Sequence, residues 1–89
     1  MNYEWDENKR IANIIKHNVD FLDAERFDWS SAIETIDDRT DYSEERWIAL
    51  GLIDNRLHVL IYSLREDNLR LISLRRANSR ERKYYEEKT

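Results

Sequence analysis

Between Arg46 and Leu74 three β-prone runs follow one another with only three or four mostly polar residues between them. Connections that short join neighbouring antiparallel strands and little else. The runs are 46–53, 57–64 and 69–74, linked by the turns Asp54-Asn55-Arg56 and Arg65 to Asn68, so a three-stranded meander is predicted and an all-helical fold is excluded. In the middle run Leu57, Val59, Ile61, Ser63 and Arg65 share one face and His58, Leu60, Tyr62 and Leu64 the other; both faces are largely apolar, as in a central strand. The last run sets Leu71, Ser73 and Arg75 on one face and Arg70, Ile72, Leu74 and Arg76 on the other, so an arginine projects whichever side is open. Gly51, the only glycine, lies inside a strand and marks a bulge, a bend or a close approach by another backbone.

On either side of the meander the period changes. Asp6 is placed to cap a helix over 6–17, in which Ile11, Ile14 and Ile15 recur at helical spacing while Glu7, Lys9, Arg10, Asn13 and Lys16 face outward. Asn18 suits a left-handed terminator, and Asp20 then opens a second helix over 20–28 with Phe21, Ala24 and Phe27 on its buried stripe and Trp29 closing the corner. Residues 32–36 form a short β-prone run, 37–45 a polar, acid-rich loop, and 80–87 a last helix begun by Asn78 or Ser79. The expected architecture is α+β: one domain over 1–89 with two N-terminal helices, a four-stranded mainly antiparallel sheet and a C-terminal helix, the helices packed on one face.

Composition narrows the chemistry. At 89 residues a single core is feasible, and 40% hydrophobic content with three Trp, five Tyr and two Phe is enough to build it. The chain has no Cys, hence no disulfide, thiolate nucleophile or Cys-based zinc site; His17 and His58 stand too far apart for a ligand pair, and no metal is expected. No apolar run is long enough for a signal peptide or membrane span, which points to the cytoplasm. Gly-rich phosphate loops, zinc-binding His-Glu motifs and nucleophile elbows are also missing from the sequence.

Charge is distributed unevenly. Residues 56–85 carry eight basic side chains against three acidic ones, whereas 1–55 carry six against fourteen, so a formal net charge of −4 conceals a dipolar molecule. An Arg-rich lobe matches phosphate through the planar guanidinium fork and points to nucleic acid or another polyanion. Arg65 with Arg75 or Arg76 forms a plausible phosphate clamp; the plainer alternative is strand-end arginines paired with Glu66, Asp67 or helix carboxylates. Lys16 and His17 end the first helix, where a cation is favoured and an imidazole is available as a proton carrier near neutral pH. Trp47 and His58 read as core residues, and one of Tyr84 and Tyr85 as a core anchor, the other being free to donate to a phosphate oxygen. Arg, Lys, His and Tyr suffice for metal-free cleavage of RNA, whose 2′-hydroxyl is its own nucleophile, so the protein need only position the phosphate, stabilise charge and move protons.

Five phrases carry a resemblance: Tyr3-Glu4-Trp5-Asp6-Glu7-Asn8-Lys9, Lys16-His17-Asn18-Val19-Asp20-Phe21, Glu45-Arg46-Trp47-Ile48-Ala49-Leu50-Gly51, Arg70-Leu71-Ile72-Ser73-Leu74-Arg75-Arg76-Ala77, and Glu81-Arg82 before Tyr84-Tyr85-Glu86. In order and spacing they resemble the BrnT family of toxins from bacterial type II toxin–antitoxin systems. The resemblance implies a compact RelE-like fold, a ribonuclease activity that arrests translation and growth, and neutralisation by a BrnA antitoxin whose ribbon-helix-helix dimer binds operator DNA. The family's presumed site residues carry over as candidates onto Lys16, His17, Arg46, Arg65, Ser73, Arg75, Arg76 and Tyr84; Arg65, Arg75, Arg76, His17, Lys16 and Tyr84 are expected to be catalytic, Arg46, Arg70, Ser73 and Arg80 to contact RNA, and no cofactor is expected. Asn18 and Leu74 depart from the Gly and Ala common in the family; Asn tolerates a left-handed turn, and Leu74 adds bulk beside Arg75. Two other functions fit the residues less fully: a non-catalytic module that binds antitoxin or RNA, and a structural protein whose arginines cement an oligomer.

Overall fold

A computed structural model describes residues 2–39 and 43–89. The loop expected over 37–45 therefore falls partly outside the described residues, at 40–42. Five strands, β1 (Asn2–Glu4), β2 (Ile33–Ile36), β3 (Trp47–Ile53), β4 (Arg56–Arg65) and β5 (Asn68–Arg76), form one sheet in the order β1-β5-β4-β3-β2. The helices are α1 (Glu7–His17) and α2 (Ser79–Lys88), with short 3₁₀ segments at Phe21–Arg26 and Trp29–Ser31.

The meander forms as expected, with β3 to β5 antiparallel and β2 antiparallel to β3. Asp54 and Asn55, at φ 50° and 66°, make the tight two-residue connection between β3 and β4, a conformation that Asp and Asn tolerate better than most residues. The sheet has five strands rather than four and is mixed, because Asn2–Glu4 pairs in parallel with Asn68–Arg70. So short a strand leaves no periodicity, and its partner lies 66 residues away in sequence. The second helix expected over 20–28 is instead the 3₁₀ segment Phe21–Arg26, capped by Asp20 and followed by extended backbone at Phe27 that turns the aromatic ring inward.

Both faces of the sheet are covered, not one. On the first face Phe21, Ala24 and Phe27 pack against Ala49, Leu60, Tyr62, Leu69, Leu71 and Leu74, with Trp29 and Trp47 partly buried beside them. Trp29 stands edge-on to Phe27 and Tyr62, at 4.7 and 5.5 Å between centroids. Leu50, Leu57, Val59 and Ala77 form a smaller cluster on the other face, where Tyr85 packs and donates its hydroxyl hydrogen to Ser31 O at 2.9 Å. Tyr85 is thus the anchor of the Tyr pair; Tyr84 is exposed. Gly51 is where Phe27 approaches: a Cβ there would collide with the ring, whose Cε2 lies 2.7 Å from that position. The close approach is by a side chain rather than by backbone.

The bulge lies in β5 instead. Ile61 pairs with Ser73 and Tyr62 with Leu71, so Ile72 is the extra residue. Strict alternation in β5 therefore fails: Leu71 and Leu74 both reach the first-face core, and Arg75 emerges beyond the bulge. Leu74 is wholly buried in that core.

In α1 the expected stripe is also revised. Ile11 and Ile15 are exposed, while Asn13 is only 6% exposed. Its amide donates to Val19 O and Leu74 O at 2.9 and 2.7 Å and accepts from Leu74 N–H at 3.2 Å. β1 covers β5 only as far as Arg70, so among the described residues the outer edge of β5 beyond it has no partner strand, and the Asn13 amide serves Leu74 in its place.

Candidate active site

The Asp6 side chain accepts from the backbone of Asn8 and Lys9 to start α1, and Asn18, in the left-handed region at φ 58° and ψ 33°, ends it. Its amide bonds Ile14 O at 2.8 Å. With Asn13 clamped to β5, these caps fix the rotation of α1 and turn Lys9, Lys16 and His17 toward the bulged strand. There they wall a cavity of about 310 Å³, closed by Arg46, Ile72 and Ser73. Among the described residues no carboxylate lines it.

Burial is the main cause of a His17 pKa below the ordinary imidazole value; the charges of Lys16 and then Arg75 push the same way. The shift favours the neutral imidazole, the form that can accept a proton. The helix terminus favours the cation, whereas burial and two neighbouring cations disfavour it.

Arg75 is held by Glu81 of α2, Nη1 and Nη2 each 2.8 Å from a carboxylate oxygen. That contact raises the Arg75 pKa and lowers the Glu81 pKa. Glu81 also accepts from Asn78 N–H at 2.9 Å while Asn78 accepts from Glu81 N–H at 2.8 Å, a closed capping box. A second cation, Arg39, lies close enough to oppose the charge of Arg75. Arg39 itself binds Asp37 through Nε and Nη2 at 2.7 and 2.8 Å.

The structure gathers Lys16, His17, Arg46 and Ser73 around the cleft, and the charge of Arg75 reaches it. Other expected residues stand elsewhere. Arg65 pairs in register with Asn68, seven residues before Arg75, which at the rise of a strand is roughly 20 Å. One phosphate cannot be held by both, and Arg65 instead approaches Glu44 at 3.5 Å. Arg70 binds Glu4 of β1 at 3.0 Å. Arg76 opposes His58 across the β4–β5 pair and lines a different cavity. Tyr84 and Arg80 lie exposed on α2, outside the cleft lining. The salt-bridge alternative thus describes Arg75, whose partner Glu81 is one of the expected helix carboxylates, while Arg65 and Arg70 pair with Glu44 and Glu4 and not with the turn acids Glu66 and Asp67. Sequence reasoning passed over Lys9, Asn13 and Arg39; Lys9 sits seven residues, two helical turns, before Lys16, a signal that was available. Among the described residues no three His, Asp or Glu side chains gather in a metal-binding group, and no helix is long and apolar enough to cross a membrane.

A family model described as "Ribonuclease toxin, BrnT, of type II toxin-antitoxin system" matches residues 5–81. The chain belongs to the BrnT family. It is a ribonuclease toxin of a type II toxin–antitoxin system, and such a toxin has an antitoxin as its partner. The BrnT match spans α1, the 3₁₀ segments, β2 to β5 and the capping box of α2, and so every residue of the cleft. No curated protein matches the chain.

Proposed function

We propose that the cleft between α1 and β5 is the centre of a metal-independent endoribonuclease that cuts RNA by attack of the 2′-hydroxyl, arresting translation and growth. The observation that carries this reading is a cleft, free of carboxylates among the described residues, in which His17, its neutral form favoured by burial, adjoins Lys16 and the charge of Arg75. His17 takes the 2′-hydroxyl proton, the freed 2′-oxygen attacks phosphorus, and the 5′-oxygen leaves with a proton from Lys16. The products are a 2′,3′-cyclic phosphate and a 5′-hydroxyl. Lys9, Arg46 and Arg75 stabilise the extra negative charge that builds on the phosphorane, and the Ser73 hydroxyl donates to a non-bridging oxygen. The Arg75–Glu81 pair places this guanidinium in waiting: a phosphate that enters must compete with a carboxylate for it.

The partner in this reading is a BrnA-like ribbon-helix-helix antitoxin in the cytoplasm, which covers the basic cleft and carries the complex to operator DNA; the toxin itself does not bind the operator. Cleavage of a labelled RNA by the purified protein, with cyclic-phosphate ends identified by mass spectrometry, tests the chemistry. Intact RNA at every protein concentration would leave only a binding module.

A further inference from the structure

We propose a second anion site, on the far side of the α1 terminus, that holds a phosphodiester of the RNA flanking the scissile one; it rests on the ribonuclease reading above. A cavity of about 390 Å³ lies between the Asn18-Val19 corner and the β3–β4 hairpin, with Arg26, Arg56, His58 and Arg76 on its walls. Its two carboxylates, Asp23 and Asp54, are both occupied by one cation: Arg26 lies 3.2 Å from Asp23, and 3.1 and 3.2 Å from the two oxygens of Asp54.

Arg56 and Arg76 remain. Among the described residues neither guanidinium has an ion pair or a hydrogen-bond partner. They are diagonal neighbours on one face of the sheet, since His58 stands opposite Arg76 and two residues beyond Arg56. That geometry sets them roughly 7–8 Å apart at the backbone, within reach of one phosphate for two long side chains. The backbone at Arg56 is fixed twice, by the tight turn at Asp54 and Asn55 and by the buried His58, whose Nδ1 donates to Arg56 O at 2.8 Å. Two like charges held side by side, in a cavity whose three arginines outnumber its two carboxylates, make a receptor for an anion.

Continuity with the cleft selects nucleic acid over a free anion. His17 walls the cleft and Asn18, the next residue, walls the second cavity. Arg75 and Arg76, also consecutive, serve the two sides in the same way. A strand whose scissile phosphate lies at His17 reaches Arg56 and Arg76 by crossing the left-handed corner at Asn18. The carbonyl end of α1 at that corner repels anions, so the arginines alone provide the attraction.

The test compares wild type, Arg56→Gln and Arg56→Gln/Arg76→Gln for binding to 2′-O-methyl RNA, which cannot be cleaved, as a trimer and as a decamer. Removing charge-assisted hydrogen bonds should weaken decamer binding about tenfold for each arginine while trimer binding stays the same. For the double variant the slope of log affinity against log salt should fall by about 0.7, the value for one phosphate on a single strand. Melting temperatures should stay together. Equal decamer affinity in all three proteins overturns the proposal, and so does inorganic phosphate that binds the wild type as tightly as the decamer does. If wild type cuts no RNA but shows the length-dependent loss, the ribonuclease reading fails and the anion site stands; cleavage with no such loss has the opposite meaning.

Discussion

Glu81 grips Arg75 with both carboxylate oxygens, at 2.8 Å each, and closes the N-terminal capping box of α2. One carboxylate therefore joins the start of the last helix to a cation whose charge reaches the cleft. With both side chains less than a third exposed, the pair contributes about 1 kcal/mol.

Glu81→Gln keeps a capping-box acceptor and removes the charge that competes with phosphate for Arg75. RNA should bind several-fold tighter, and urea denaturation should show a loss of about 1 kcal/mol at neutral pH. Because Arg75 lowers the Glu81 pKa from its ordinary 4.5, that contribution is complete above pH 4.5 and is lost as pH falls through the lowered value. The stability difference between wild type and Glu81→Gln should therefore close in acid. A difference that persists unchanged below that range would contradict the assignment.

His17 must be neutral to accept a proton, and its pKa lies below the ordinary 6.5. The cleavage rate should rise with pH and level off at a lower pH than an ordinary imidazole would give. Arg75→Gln removes one of the repelling charges, so the midpoint should move upward toward 6.5. His17→Ala should cost roughly 10²- to 10⁴-fold in rate with little change in melting temperature. The same depressed pKa lowers stability as pH falls from 6.5 through the folded value, since the unfolded chain takes up the proton first. A rate independent of pH from 5 to 8 would exclude His17 as the base.

Asn13→Ala should be among the most damaging substitutions in α1, costing about 2–4 kcal/mol, because it leaves the Leu74 and Val19 backbone groups unsatisfied within buried surroundings. Ile15→Ala, at an exposed position on the same helix, should change stability by less than about 0.5 kcal/mol. Chemical denaturation of both variants measures the contrast, and equal effects would refute the strand-edge role of Asn13.

This contrast shows where the sequence was legible and where it was not. The meander, its two turns, both helix caps of α1 and the Phe21, Ala24 and Phe27 stripe were readable, because each rests on residues close in sequence. Asn13 and Ile15 exchanged roles because α1 covers a strand edge rather than a sheet face, and an edge asks for an amide where a face asks for a hydrocarbon. The three-residue β1 and the bulge at Ile72 depend on pairings between distant segments. That same bulge parted Leu71 from the face it was expected to share with Ser73 and Arg75, and the register separated Arg65 from Arg75. In the cleft, Lys16, His17, Arg46 and Ser73 were all named from sequence, whereas the Arg75–Glu81 pair depends on the angle at which α2 returns to the sheet.

An antitoxin that covers the cleft should do so with acidic residues, so the complex should dissociate more readily as salt rises. Lys9→Glu/Lys16→Glu should weaken it at least tenfold in calorimetric titration. Unchanged affinity would place the antitoxin on another surface, such as the acidic N-terminal half.

Cleavage of an RNA carrying a single 2′-deoxy nucleotide at the scissile position, in the presence of EDTA, measures the central claim most directly. The account predicts that the all-ribose strand is cut in EDTA to a 2′,3′-cyclic phosphate and that the substituted strand is not cut at that position. Cleavage of the 2′-deoxy strand there, or a strict requirement for added Mg²⁺, would contradict it.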